Sequence, residues 1–158
     1  MIALADAEDA LTLFTEGIAG RYFHVKATSE FNPARLEIDA ESSALTPDTL
    51  YLPEQIDYPD PAGYRVLAME QLGLREFGSY QFRMETARAR LPELNHAEPE
   101  AHALRESDLT TFYRHAQFPI LLKRLHAACE KYRVRQCLIN RYPGFHRHQQ
   151  PFAQFRYI

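Results

Sequence analysis

The sequence predicts a mainly helical α+β domain with a small sheet, a single compact unit that carries one long C-terminal helix. Three observations lead there. The chain has 158 residues, about the length of one domain. Apolar residues recur at helical spacing in several segments that also carry capping signals. Between the first two of these lie short β-type runs divided by Pro, Ser and Asp. The composition, 46% hydrophobic and 12% aromatic with 25% charged, excludes wholesale disorder. No apolar run approaches the roughly 20 residues that a membrane helix needs. Met1 to Asp6 has no basic n-region and meets acid by the sixth residue, so no secretory signal is expected.

The first helix is expected over Asp6–Ala19, with Asp6 as N-cap, Glu8 and Asp9 in the first turn and Gly20 as C-cap. Leu11, Phe14 and Ile18 form its stripe, and Gly17 suggests a close packing partner. Tyr22–Val25, Arg35–Ile38 and Thr49–Leu52, the last closed by Pro53, read as three strands. Asp60 and Pro61 open a second helix as N-cap and first helical residue. Tyr64, Leu67, Ala68 and Leu72 line one face of it, and Gly78 ends it. Gln81–Leu91 is helix-compatible and stops at Pro92, and the polar stretch 93–106 reads as a surface linker. Ser107 and Asp108 open a further helix. Pro119 then starts the longest one, to Arg141, with Leu121, Leu122, Leu125, Cys129, Tyr132 and Leu138 as its expected buried side. Tyr142-Pro143-Gly144 ends it, and residues 145–158 read as a tail.

The net charge of −3 hides an asymmetry. Residues 109–158 hold nine Lys/Arg against the single acid Glu130, net +8, whereas residues 1–108 hold nine bases against twenty acids, net −11. Such a split marks either a basic surface for an acidic partner or two halves that complement each other internally. Arg133, Arg135, Arg141 and Arg147 are therefore candidates for partner binding or for internal salt bridges.

Little in the residue pattern points to catalysis. Cys129 and Cys137, eight apart on one helix, stand about 12 Å apart along its axis, too far for a disulfide, and buried thiols in a reducing, cytoplasmic setting are expected. His146 and His148 are spaced for an extended chain and lack further ligands, so no metal and no other cofactor is expected. There is no Gly-rich phosphate loop and no Gly-x-Ser-x-Gly elbow.

Four ordered segments resemble a known family. They are Leu13–Arg21, which contains Gly17 and Gly20; Thr49–Asp57, with Leu52-Pro53-Glu54; the central helix through Tyr64, Ala68, Gln71, Gly73, Glu76, Phe77 and Gly78; and Glu130, Arg133, Val134 and Leu138 running to Tyr142-Pro143-Gly144-Phe145. Together they resemble the N-terminal region of the CbbO and NorD proteins, the von Willebrand A-containing partners of MoxR-type AAA+ ATPases. Many NorD-like members carry two His four apart on the central helix, as a zincin does; here those positions are Glu70 and Leu74. The resemblance thus implies a copy without a zinc site. It also implies a longer protein, since the family's C-terminal Asp-x-Ser-x-Ser metal motif is absent from these residues.

The function that the resemblance implies is a non-catalytic adaptor. It would join a CbbQ-like AAA+ hexamer to its client, rubisco, as part of a rubisco activase. A NorD-like maturation factor for nitric oxide reductase is one alternative. A degenerate zincin-like hydrolase built on Glu70, Glu76 and Glu130 is another. Glu70 and Glu130 are expected instead to pair with Arg133 or Arg65, because an unpaired buried carboxylate is costly. Nucleic acid, held by the arginines with Tyr132, Tyr142 and Phe145 for stacking, is a minority reading that lacks any RNP, KH or zinc-finger pattern.

Overall fold

The computed structural model describes residues 1–30, 43–96 and 107–155. It is mainly α-helical with a small sheet, as the sequence predicts. The chain begins with β1 (Ile2–Ala3), a short 3-10 turn and helix α1 (Glu8–Ala19). β2 (His24–Ala27), β3 (Ala44–Leu45), β4 (Thr49–Leu52) and β5 (Gln55–Ile56) follow. The rest is helical: α2 (Ala62–Glu76), α3 (Met84–Arg90), α4 (Asp108–Arg114), α5 (Pro119–Arg141) and α6 (Pro143–Phe155).

β4 is the middle strand of a three-stranded sheet. It pairs in parallel with β2, Val25 opposite Leu50, and antiparallel with β3, Leu45 opposite Leu50. Val25, Leu50 and Leu52 are buried while His24 and Lys26 face outward, the period-2 alternation of a half-covered sheet. β1 and β5 form a separate two-stranded ladder, extended by a bond from Leu4 N to Glu54 O of 2.8 Å. The expected strand at 35–38 lies outside the described residues, as do residues 97–106 of the expected linker 93–106, whose first residues belong to a 3-10 turn over Pro92–His96.

Several expectations are corrected. Asp6 does not cap α1: the Ala7 N to Leu4 O bond closes a 3-10 turn over Leu4–Asp6, which delays the helix to Glu8, and Ala7 takes the cap position. No atom comes within 4 Å of a Cβ placed at Gly17, so that residue serves no close approach. α2 starts at Ala62 rather than Pro61, although Asp60 does cap it, its Oδ1 accepting from Ala62 N at 2.8 Å. α3 begins at Met84, later than expected, because a turn through Gly78–Gln81 precedes it and Asp108 Oδ2 accepts from Met84 N at 2.8 Å. Residues 145–155 are helical rather than a tail, and Phe145 and Gln149, four apart, bury one side of α6.

The largest correction concerns α5. Its bounds are as expected, but Ala127, Val134 and Leu138 are its buried residues, while Leu121, Leu125, Cys129 and Tyr132 are exposed and Leu122 is half-buried. The reason is the helix crossing: α5 lies on α2 where Gly73 meets Val134 and Leu138, which turns that side inward and leaves Leu121, Leu125 and Tyr132 outward. Central helix α2 is buried almost all round, packed by α1, α5, α6 and β4.

Candidate functional site

The residues that the sequence singles out gather where the C-terminus of α2 meets the middle of α5. The geometry starts from Gly78, whose φ of 77° suits a residue without a Cβ. Ser79 N bonds Leu74 O at 2.8 Å and Gly78 N bonds Arg75 O at 3.2 Å. These two bonds form a Schellman cap, which leaves the Phe77 carbonyl and the Ser79 hydroxyl facing α5.

Arg133 meets both groups. Its Nη2 donates to Phe77 O and to Ser79 Oγ, each at 3.1 Å. Its guanidinium also grips Glu130 in two places, Nε to Oε1 at 2.9 Å and Nη2 to Oε2 at 2.7 Å. Ser79 Oγ closes the ring by donating to Glu130 Oε2 at 2.6 Å. A cation at a helix C-terminus is favoured by the helix dipole, and the bidentate pair is the strong form of this contact. The Arg133 and Ser79 bonds hold the Glu130 carboxyl below its ordinary pKa against the opposing effect of burial, and Glu130 raises that of Arg133.

Two residues further along α5, Arg135 engages Glu70 of α2, with Nη2 at 2.6 Å and Nε at 3.2 Å from Oε1. Both side chains are mostly buried, at 25% and 15% exposed. The expected carboxylate–arginine pairing is thus present, with Arg135 rather than Arg65 as the partner of Glu70. Gly73 sets the helix separation that permits it. A Cβ there would stand 2.7 Å from Val134 Cγ1 and 3.2 Å from Leu138 Cδ1. Leu74, at the second zincin-type position, is buried in the core.

The other motif residues tie this centre to the rest of the chain. Tyr64 is fully buried and its hydroxyl donates to Pro53 O at 3.0 Å and to Ile2 O at 3.3 Å, while burial pushes its pKa up to about 12. Gln71 Nε2 donates to Ser43 Oγ at 2.9 Å inside the core. Glu76 accepts from the Tyr142 hydroxyl at 2.9 Å, and burial together with this bond raises the Tyr142 pKa. Leu52 is fully buried, Gly20 ends α1 at φ 66°, and Glu54 accepts from the Ser29 hydroxyl. Pro143 and Gly144 begin α6.

Arg141 and Arg147 do not join this centre. Arg147 is exposed on α6, and Arg141, with Arg65 and His148, rims a groove of about 390 Å³ floored by Phe14, Met69 and Phe145. The aromatic and basic residues of the nucleic-acid reading do not share a surface: Phe145 is buried, Tyr142 is bound to Glu76, and Arg133 and Arg135 face α2. The expectation of buried thiols is also corrected: Cys129 is exposed and Cys137 half-buried, because both sit off the inward face of α5.

Ser79 escapes a reading of the sequence because a lone serine after a glycine carries no periodic signal. The same holds for the Tyr113 hydroxyl bonded to His126 Nδ1 at 2.7 Å, in a site where burial lowers the pKa of His126. Glu70, Glu76 and Glu130 each have a different partner, Arg135, Tyr142 and Arg133. Among the described residues no three His, Cys, Asp or Glu side chains are gathered as metal ligands would be, and no helix is long and apolar enough to cross a membrane. No family model matches the sequence, and comparisons with curated proteins and with solved structures find no match.

Proposed function

We propose that this chain is a docking module without chemistry of its own, the adaptor through which a CbbQ-like AAA+ hexamer reaches rubisco in the cytoplasm. One observation supports it above others. The carboxylates that an active site on α2 and α5 would use, Glu70 and Glu130, are each held by an α5 guanidinium. A general base or metal ligand needs a lone pair directed at a reactant, whereas both oxygens of Glu130 and Oε1 of Glu70 are engaged in cohesion of the fold. The family-like residues bind one another, so their spacing serves a rigid scaffold. Rubisco is favoured over nitric oxide reductase by the Leu50–Glu54 stretch and the missing His pair.

The experiment is co-migration of the purified chain with a CbbQ-like hexamer in size-exclusion chromatography, with the ATPase rate of the ring as second readout. The expected result is a stable complex and an altered ATPase rate. A folded chain that neither co-migrates with an intact hexamer nor changes its ATPase rate sinks the proposal. Metal-dependent hydrolysis by the purified chain, lost in Glu130→Gln, would replace it with the hydrolase reading.

A further inference from the structure

We propose that the groove between α1, α2 and the start of α6 binds a small amphiphilic carboxylate, an apolar ring or short chain that ends in one negative charge. The inference goes beyond the adaptor reading and does not rest on it, since neither the ATPase nor its client enters.

Three helices build the groove through local spacing. Phe14 and Ile18, one turn apart on α1, share one side of that helix and line the groove together. Val66 and Met69 of α2 and Phe145 of α6, all buried, supply the rest of its apolar lining. Its volume of about 390 Å³ is close to that of a single helical turn, so it cannot seat a helix. The same volume lies within the roughly 300–1,000 Å³ of small-molecule sites, and an apolar lining with a few convergent polar groups is their usual composition. Two aromatic rings and a flexible thioether suit a flat ring or a short chain.

Charge identifies the occupant. Arg65, Arg141 and His148, all exposed, line the groove, and among the described residues no Asp or Glu does. Neither arginine forms an ion pair with a described carboxylate. Arg141 stands close enough to the Tyr142 hydroxyl to lower its pKa, but that group is neutral and occupies few of a guanidinium's five donors. Glu76, which accepts from the same hydroxyl, lines a neighbouring pocket instead. Arg141 ends α5, where a cation suits the helix dipole, so its place has a structural reason. Arg65 has none of that kind: it is the fourth residue of α2, in the first turn, where the dipole disfavours a cation. α6 starts at the same groove with Pro143 and Gly144 and has no acid in its first turn. One anion in the groove would be favoured by both guanidiniums and by that helix start together. A guanidinium matches a carboxylate in two places, and a single charge is less costly than a phosphate dianion to bring against an apolar wall.

The test titrates the whole isotope-labelled chain with 3-phenylpropionate and follows NMR shifts. Saturable binding with a Kd of about 1 mM or tighter is expected, with the largest shifts at Phe14, Met69 and Phe145. Its uncharged amide and acetate should each bind about tenfold more weakly or worse, since each lacks one half of the recognition. Arg65→Gln with Arg141→Gln should weaken 3-phenylpropionate by about tenfold with an unchanged unfolding midpoint, both side chains being exposed. If the double substitution disturbs folding, Arg65→Gln alone carries the expectation of a several-fold loss. No saturable binding up to about 10 mM, equal binding of the amide, or undiminished binding in the folded arginine variants would each overturn the inference. Tighter binding of phenyl phosphate would overturn the carboxylate class. A Gly-Phe-Glu-Gly peptide blocked at both ends that binds the same residues far more tightly would reassign the groove to a protein segment. None of these outcomes bears on co-migration with the ring, so the adaptor reading stands or falls separately.

Discussion

At Gly73 the whole contact between α2 and α5 depends on one missing methyl group. Gly73→Ala gains helix propensity of up to about 1 kcal/mol but drives a Cβ into the buried, branched Val134, and overpacking of this kind costs about 1–3 kcal/mol. We expect net destabilisation of about 1–2 kcal/mol by urea unfolding, largely relieved when Val134→Ala is added. Glu130 offers a test in pH. Its folded pKa lies below the unfolded value, so its contribution is present above about pH 4.3 and is lost as pH falls through the folded pKa. Glu130→Gln should cost about 1–2 kcal/mol at neutral pH, discounted for the partial exposure of Arg133, and the gap from the parent should shrink in acid. A constant gap across that range would refute this assignment. His126 has the same sign. Its lowered pKa makes its contribution present above about pH 6.5 and lost below, and His126→Gln should flatten that part of the profile.

Among the elements, the end of α2 and the two faces of α5 show what a sequence reveals and withholds. Gly78 as a helix stop, Asp60 and Ser107 as caps, and Pro119 as the start of α5 were legible because capping is local chemistry. The inward face of α5 was not, because hydrophobicity alone prefers Leu121 and Leu125, while the approach of Gly73 on a distant helix turns Val134 and Leu138 inward. β1, β3 and β5, two residues each, are too short to show alternation, and only their partners define them. The arginine–carboxylate pairing was legible as a need, since few acids are buried alone, but the choice of Arg135 over Arg65 required the helix crossing. Gly78→Ala tests the cap: a left-handed residue costs about 1–2 kcal/mol, and loosening of Phe77 and Ser79 from Arg133 adds to it. The measurement is the unfolding midpoint, with the Glu130→Gln difference expected to shrink in the Gly78→Ala background.

Across the whole molecule, the charge split of −11 and +8 is partly internal, since Glu70 from the acidic part closes on Arg135 from the basic part. Charge reversal of Arg135 to Glu should therefore destabilise the fold by about 2–4 kcal/mol, and the swap with Glu70→Arg should recover part of it. Full stability of the single reversal would return Arg135 to the surface. Raising salt from about 0.02 to about 0.5 M should lower the melting temperature by only a few degrees, because the Glu70–Arg135 pair across the halves is mostly shielded from solvent. Among the described residues, Arg124 on α5 and Arg147 on α6 are exposed arginines of the basic part. The packing of α5 on α2 also has a mechanical side. A pull along α5 would load that contact in shear, with the Gly73 notch, the Arg133 bonds to Phe77 and Ser79 and the Arg135–Glu70 pair resisting side by side. Bonds strained together yield at higher force than bonds opened one at a time, so sliding α5 along α2 would meet more resistance than peeling it away from one end.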